Sequence, residues 1–178
     1  MSEYTAQRDA IKAAVTGVAN IGRVHDRPRY GDFHDHYVVD GDDGWTVPHI
    51  RAWEIGLDDP GVVVERLSAG WRHRYRRWRV SGYVGLVDAA ADDPVDSEGA
   101  AVAAAIGGAS YHLITELAGS VADAIDIDPT LGGTCLHLHA PGDGANAVSY
   151  AEPTPLFLMG TILCWGVVLR FTTYTVIA

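Results

Sequence analysis

The densest chemical feature of the chain is Trp71-Arg72-His73-Arg74-Tyr75-Arg76-Arg77-Trp78-Arg79, which sets five guanidinium groups in nine positions. Alternation along an extended strand sends Arg72, Arg74 and Arg76 to one side, where the row can grip carboxylates bidentately or track phosphates. The plainer alternative is a solvated sheet face whose arginine stems cover apolar surface. The strip opposes its own chain, in which 13 Lys and Arg stand against 23 Asp and Glu for a formal charge of −10. That balance makes acidic protein surface a better partner for the strip than nucleic acid. Asp40, Asp42 and Asp43, with Asp58, Asp59, Asp88, Asp92, Asp93 and Asp96, supply such surface, and a self-complementary pattern suits head-to-tail contacts that close into rings. The candidate interface residues are therefore Arg72, Arg74, Arg76, Arg77, Arg79, Asp40, Asp42 and Asp43. Charge reversal at Arg74 and Arg76 together is expected to weaken assembly and leave the fold intact.

The eight histidines include two H-x-H pairs, His34-Asp35-His36 and His137-Leu138-His139. An extended strand would put both imidazoles of a pair on one face, which permits a metal site. The pairs lie about a hundred residues apart in sequence, so nothing joins them, and surface or interface histidine is the simpler assignment; no metal or cofactor is assigned. A nucleophile is equally hard to find. There is no G-x-S-x-G, and neither Cys135 nor Cys164 stands in a recognisable thiol-enzyme setting. Gly107-Gly108 falls within a helical pattern and Gly132-Gly133 precedes a strand-like run, so neither pair has the strand, loop and helix order that cradles phosphate. Asp123, Asp126 and Asp128 lack the glycine and closing glutamate of a calcium loop. No residue is assigned a catalytic role, and the chain is expected not to be an enzyme.

These groups must be positioned by a core whose elements the apolar spacing outlines. Ile11, Val15 and Val18 recur at helical spacing between Glu3 and about Asn20, and Asn20 and Gly22 suit the end of that helix. Ile21 to His25 reads as a short strand and Asp26 to Pro48 as a long connector. Arg51 to Leu57 alternates as a second strand with Trp53 on its buried face. Trp71 to Val87 is a longer strand, or two, with Gly82 and Gly85 marking bends. Val102, Ile106, Ala109, Leu113, Leu117, Val121 and Ile125 trace a long helix that follows an N-cap at Asp96 or Ser97 and stops before Pro129. Thr134 to His139 reads as a strand, Val148 to Ala151 as another short one, and Leu163 to the C-terminus as a final alternating strand. Helix and strand do not alternate as in a doubly wound sheet. The expectation is an α+β fold over residues 1–178 as one domain, a mainly antiparallel sheet with two helices on one face and loops projecting at about 26–48 and 140–156.

Composition agrees with a folded chain, since 48% of the 178 residues are hydrophobic and 20% charged. The acidic balance disfavours a general nucleic-acid coat or adhesion to anionic membrane. Two cysteines make no disulfide framework, and no signal-like segment opens the chain at Met1-Ser2-Glu3-Tyr4, which points to a reducing cytoplasm. The most apolar run, Leu156 to Leu169, is interrupted by Gly160, Thr161 and Gly166 and falls short of the roughly 20 residues that cross a bilayer.

Several stretches stand in order along the chain: Ile21-Gly22-Arg23-Val24-His25-Asp26-Arg27 after the first helix, Arg51-Ala52-Trp53-Glu54-Ile55, Arg77-Trp78-Arg79-Val80-Ser81-Gly82-Tyr83, the alanine-rich helix, Leu131-Gly132-Gly133-Thr134, and Ile162-Leu163-Cys164 entering the last strand. Taken in this order they resemble the tail terminator, or tail-completion, proteins of tailed bacteriophages and related tail-like particles. Together they cover most of the chain. Trp165 departs from the polar residue expected after the cysteine, and the Asp40 to Trp45 turn is individual. The resemblance implies an α+β subunit of a homo-hexameric ring on the head-proximal end of the tail tube. There it would end tube polymerisation and offer a surface for head and neck attachment. The implied partners are copies of itself, the tail tube protein and a head–tail connector or stopper protein, with DNA passing through the ring unread and no membrane involved. The implied place is the virion tail or neck, assembled in the bacterial host cytoplasm. Another neck component, a head–tail stopper or adaptor, is the nearest alternative, and a metal-dependent small-molecule enzyme built on the histidine pairs is the alternative from a different class.

Overall fold

The computed structural model describes residues 2–28, 37–39, 49–66, 72–85, 99–138, 148–158 and 162–177. Helix α1, Glu3–Thr16, begins where the Ser2 hydroxyl accepts the Thr5 N–H at 3.2 Å, with Glu3 in the first turn where the helix dipole favours a carboxylate. Its inward stripe is Gln7, Ile11 and Val15, four residues apart each time. The helix stops at Gly17, earlier than its apolar spacing indicates. Asn20 and Gly22 follow in the left-handed backbone region, with φ of 58° and 82°, and redirect the chain. A β-carbon on Gly22 would lie 2.4 Å from the Arg51 carbonyl oxygen, so glycine is required there.

The chain then builds a seven-stranded sheet. β1, Arg23–His25, runs parallel to β3, His49–Arg66, and β2, Val38–Val39, pairs antiparallel with the start of β3. β4, Arg72–Gly85, is antiparallel to β3 on one side and, along its whole length, to β7, Ile162–Ile177, on the other. β5, Ser149–Tyr150, and β6, Thr154–Leu158, both pair antiparallel with the far edge of β7. Among the described strands only β1 with β3 is a parallel pair, so the sheet is mainly antiparallel. Helix α2, Gly99–Asp126, lies between β4 and β5 in the chain.

The register sorts the side chains by face. Trp53, Gly82 and Val167 lie in one row, Ile55, Val80 and Leu169 in the next, and Leu57, Trp78 and Phe171 in the third. Members of these rows form one buried core with Ile11 and Val15 of α1 and Ile114, Leu117, Ala118, Val121 and Ile125 of α2. Both helices thus cover the same face, and the α+β expectation holds. Gly82 is part of this packing: a β-carbon there would lie 2.6 Å from the Trp53 ring. β4 is consequently one unbroken strand through Gly82. The opposite face carries a smaller cluster of Tyr37, Ala52 and Cys164, joined by Ile50 and Tyr83.

Three elements differ from their sequence expectation. β3 continues past Leu57 to Arg66, because Asp58-Asp59-Pro60-Gly61 is absorbed as an irregularity between Leu57 and Val62, with Gly61 at φ 69°. Residues 134–138 are no strand; Leu131, Gly132 and Gly133 all have positive φ, and the segment touches the sheet only through a bridge between His137 and Tyr174. Residues 154–158 are a strand despite Pro155. β6 lies on the edge of the sheet, where a missing N–H is tolerated. The connector expected at 26–48 contributes β2, and residues 29–36, 40–48 and 139–147 lie outside the described residues.

Candidate interaction surface

Strand alternation divides the arginine strip between the two faces of the sheet. Arg72, Arg74 and Arg76 do share a side, as their spacing requires, but it is the side that the helices cover. Glu3 at the first turn of α1 receives a charge-assisted hydrogen bond from each of Arg74 and Arg76. Arg76 is buried, and its guanidinium also donates to Gln7 Oε1 at 3.0 Å. Gln7 is fully buried, accepts from Thr173 Oγ1 at 3.1 Å and donates to the Thr134 carbonyl at 3.1 Å. Thr173 in turn accepts the Trp78 indole N–H at 2.9 Å, and Thr175 donates to Glu3 at 2.7 Å. The result is a network in which buried polar groups satisfy one another and fasten α1 to β4 and β7. Burial pushes the Glu3 carboxyl up, but Arg76, Thr175 and Arg74 together outweigh it and hold the group below its ordinary value. Arg74 and Arg76 are therefore joints of the fold, and only Arg72, exposed at the start of β4, remains on that side for a neighbour.

Arg77 and Arg79 point to the face opposite α1 and α2. Arg77 is exposed and Arg79 half-buried, and among the described residues neither forms an ion pair with a carboxylate. Arg170 of β7 stands directly opposite Arg79 in the register, its side chain 54% exposed. Like charges in a cross-strand pair repel, so the arrangement calls for anions from outside the pair. Asp58 supplies one, meeting Arg170 at 3.0 Å. Arg170 was not among the residues singled out in the sequence, where it is a lone arginine in an apolar strand; only the register reveals that it completes a three-arginine patch.

Toward the other end of the same face, Glu54 is buried and accepts hydrogen bonds from the Tyr37 hydroxyl and, at 3.5 Å, from the Tyr83 hydroxyl. Burial, and then the neighbouring Glu54 charge, push the Tyr83 phenol up. Together with β2 and the bond from Arg23 to the Val38 carbonyl, Tyr37 pins residues 37–39 onto the sheet. The only spacing signal for this cluster is the glutamate within the alternation of Arg51 to Leu57.

Asp40, Asp42, Asp43, His34, His36 and His139 lie outside the described residues. His137 is exposed at its bridge to Tyr174. Among the described residues no three His, Cys, Asp or Glu side chains gather as a metal site. Cys135 is buried, and burial followed by the nearby Asp128 pushes its thiol to about 11, which suits a packed side chain more than a nucleophile. No described helix is long and apolar enough to cross a membrane.

The outer edge of β3 is the remaining surface of note. β1 and β2 occupy that edge only as far as Glu54, and beyond it no described strand pairs. Leu57, Val62 and Val64 are 36%, 43% and 49% exposed along this stretch. The far edge of β7, by contrast, is met in turn by β6, β5 and the His137 bridge. Among the described residues the sheet is asymmetric, with one edge covered in pieces and the other paired only from His49 to Glu54. No protein-family model matches the chain, and a search of curated proteins gives no match.

Proposed function

We propose that this chain is a structural virion protein, a ring subunit that caps the head-proximal end of a phage tail tube and presents a surface for head or neck attachment. The observation that carries the reading is the edge of β3 from Leu57 to Arg66, which no strand among the described residues pairs on its outer side and along which Leu57, Val62 and Val64 are exposed. An unpaired strand edge is a template for pairing with another chain, and Val62, Val63 and Val64, beyond the irregularity at Asp58 to Gly61, form the apolar part of this one. The resemblance of the quoted stretches to tail terminators names the partner as the last ring of tube protein. Capping then needs no bond made or broken. Strand addition along β3 buries groups at the tube end that would recruit the next tube ring, and six subunits close the end.

The same surface admits a stopper or adaptor role one layer further toward the head, and the two roles separate by experiment. Tails made in a host lacking this chain are mixed with purified protein and with filled heads, and infectious particles are counted. Recovery of joining when the protein meets tails first supports the terminator role. Recovery only when it meets heads first assigns it to the head side, and no recovery in either order contradicts both.

A further inference from the structure

We propose that subunits pack front to back, the sheet face opposite α1 and α2, around Arg77, Arg79 and Arg170, of one copy docking on the carboxylate-bearing outer face of α2 of a second copy. The inference rests on the ring-subunit reading for its purpose, but its evidence is separate from the open edge of β3. The two surfaces lie on opposite sides of one molecule. α2 turns Ile114, Leu117, Val121 and Ile125 toward the core, so Glu116 and Asp123, both exposed, face away from the sheet. Within its 28 residues α2 has three carboxylates, Glu116, Asp123 and Asp126, and no lysine or arginine. The sheet's other face presents Arg77, Arg79 and Arg170 against Asp58 as their one ion-paired carboxylate among the described residues, while nearby Glu54 is held by tyrosine hydroxyls. One side of the molecule is thus locally basic and the opposite side locally acidic.

This arrangement decides the geometry. Two sheet faces placed together would set arginines against arginines, and two helix faces would set carboxylates against carboxylates, so both two-fold contacts are disfavoured. Only unlike faces attract, which makes the contact heterologous, and a heterologous contact repeated with a rotation closes into a ring. Arg77 and Arg79 are also well suited to the centre of such a contact. Their planar guanidinium groups reach carboxylates bidentately, and two positions before Arg77 on the same face lies half-buried Tyr75, of a residue type that concentrates binding energy at interfaces.

The test is sedimentation of full-length protein at low and high salt, without tubes or heads, in four preparations. These are the wild type, Arg77→Glu with Arg79→Glu, Glu116→Lys with Asp123→Lys, and an equimolar mixture of the two variants. The wild type should self-associate at low salt and weaken at least about tenfold at high salt. Each variant alone should be monomeric, because both its faces then carry one sign, and the mixture should associate again. Circular dichroism should show all three chains folded. If the sheet-face variant misfolds, the neutral pair Arg77→Gln with Arg79→Gln replaces it, with a reduced salt dependence as the expected result. A wild type monomeric throughout, self-association indifferent to both reversals, or a mixture that stays monomeric would each overturn the inference. So would tight binding of a DNA duplex that the sheet-face reversal abolishes while self-association persists, which would make the patch a phosphate surface. Because no tube is present, failure here leaves capping to stand or fall in the head-joining assay.

Discussion

Glu3 and Arg76, 73 positions apart, meet beneath the first turn of α1, and their ion pair ties the start of the chain to the middle of the sheet. Arg74 shares the carboxylate, Gln7 shares the guanidinium, and Thr173 and Trp78 extend the network into the core. Removing one member strands others that water cannot reach. Glu3→Ala should therefore destabilise the fold by about 1–3 kcal/mol, less than a fully buried pair because Glu3 retains some exposure. Urea unfolding followed by tryptophan fluorescence measures it.

The two halves of the arginine strip should respond in opposite ways. Arg74→Glu with Arg76→Glu sets three carboxylates around one partly buried site and should prevent stable folding, whereas Arg77→Glu with Arg79→Glu should leave the thermal transition within a few degrees of wild type. This replaces the expectation, drawn from the strip taken as one surface, that the first pair could be reversed without harm to the fold. Parallel melting curves decide the matter, and equal losses in both variants would contradict the assignment of faces.

The strip shows how far the sequence reaches. Alternation correctly groups Arg72, Arg74 and Arg76, and the apolar periods of Ile11 and Val15, Trp53 and Ile55, and Leu113 to Ile125 correctly bring two helices to one side of a sheet. Alternation cannot say which side the helices take, since that depends on where α1 docks; the polar Gln7 on an otherwise apolar stripe was the one hint that a buried polar partner awaited it. Pairing across long separations is hidden for the same reason. Arg79 opposite Arg170 and Tyr37 on Glu54 are products of register. Local signals also mislead where tertiary structure overrides them: the alternation of Arg51 to Leu57 ends at Leu57 but β3 runs on through Pro60-Gly61, and His137 joins the sheet through one bridge although its segment reads as a strand.

Acid should loosen α1 before the rest of the molecule. The Glu3 carboxyl is held below its ordinary value, so its contribution is fully present above the carboxylate range of the unfolded chain and is lost as pH falls through the lowered folded value. Glu3→Gln should flatten the acid limb of a plot of stability against pH and change the neutral region little in slope. Urea midpoints across that range, wild type beside variant, give the comparison.

Gly82→Ala should cost about 1–3 kcal/mol, since the new methyl group would fall 2.6 Å from the Trp53 ring. Trp53→Phe in the same chain should recover part of the loss by shortening the ring that collides. A double-mutant cycle reads the coupling, and independent effects of the two substitutions would contradict the packing described.

Both thiols should be inert in the native protein. Cys135 and Cys164 are buried, and the Cys135 thiol is raised to about 11, leaving little thiolate at neutral pH. Mass spectrometry after iodoacetamide treatment should find neither cysteine labelled in buffer and both labelled in denaturant.

The central claim is that the chain stops a growing tube, and electron microscopy of tubes polymerised from purified tube protein tests it most directly. Added subunit should shorten the tubes in proportion to its concentration and leave a ring at one end, while a variant with Val62→Lys and Val64→Lys on the open edge of β3 should lose both effects. Tubes that grow to the same lengths with and without the wild-type chain, with bare ends, would contradict the account.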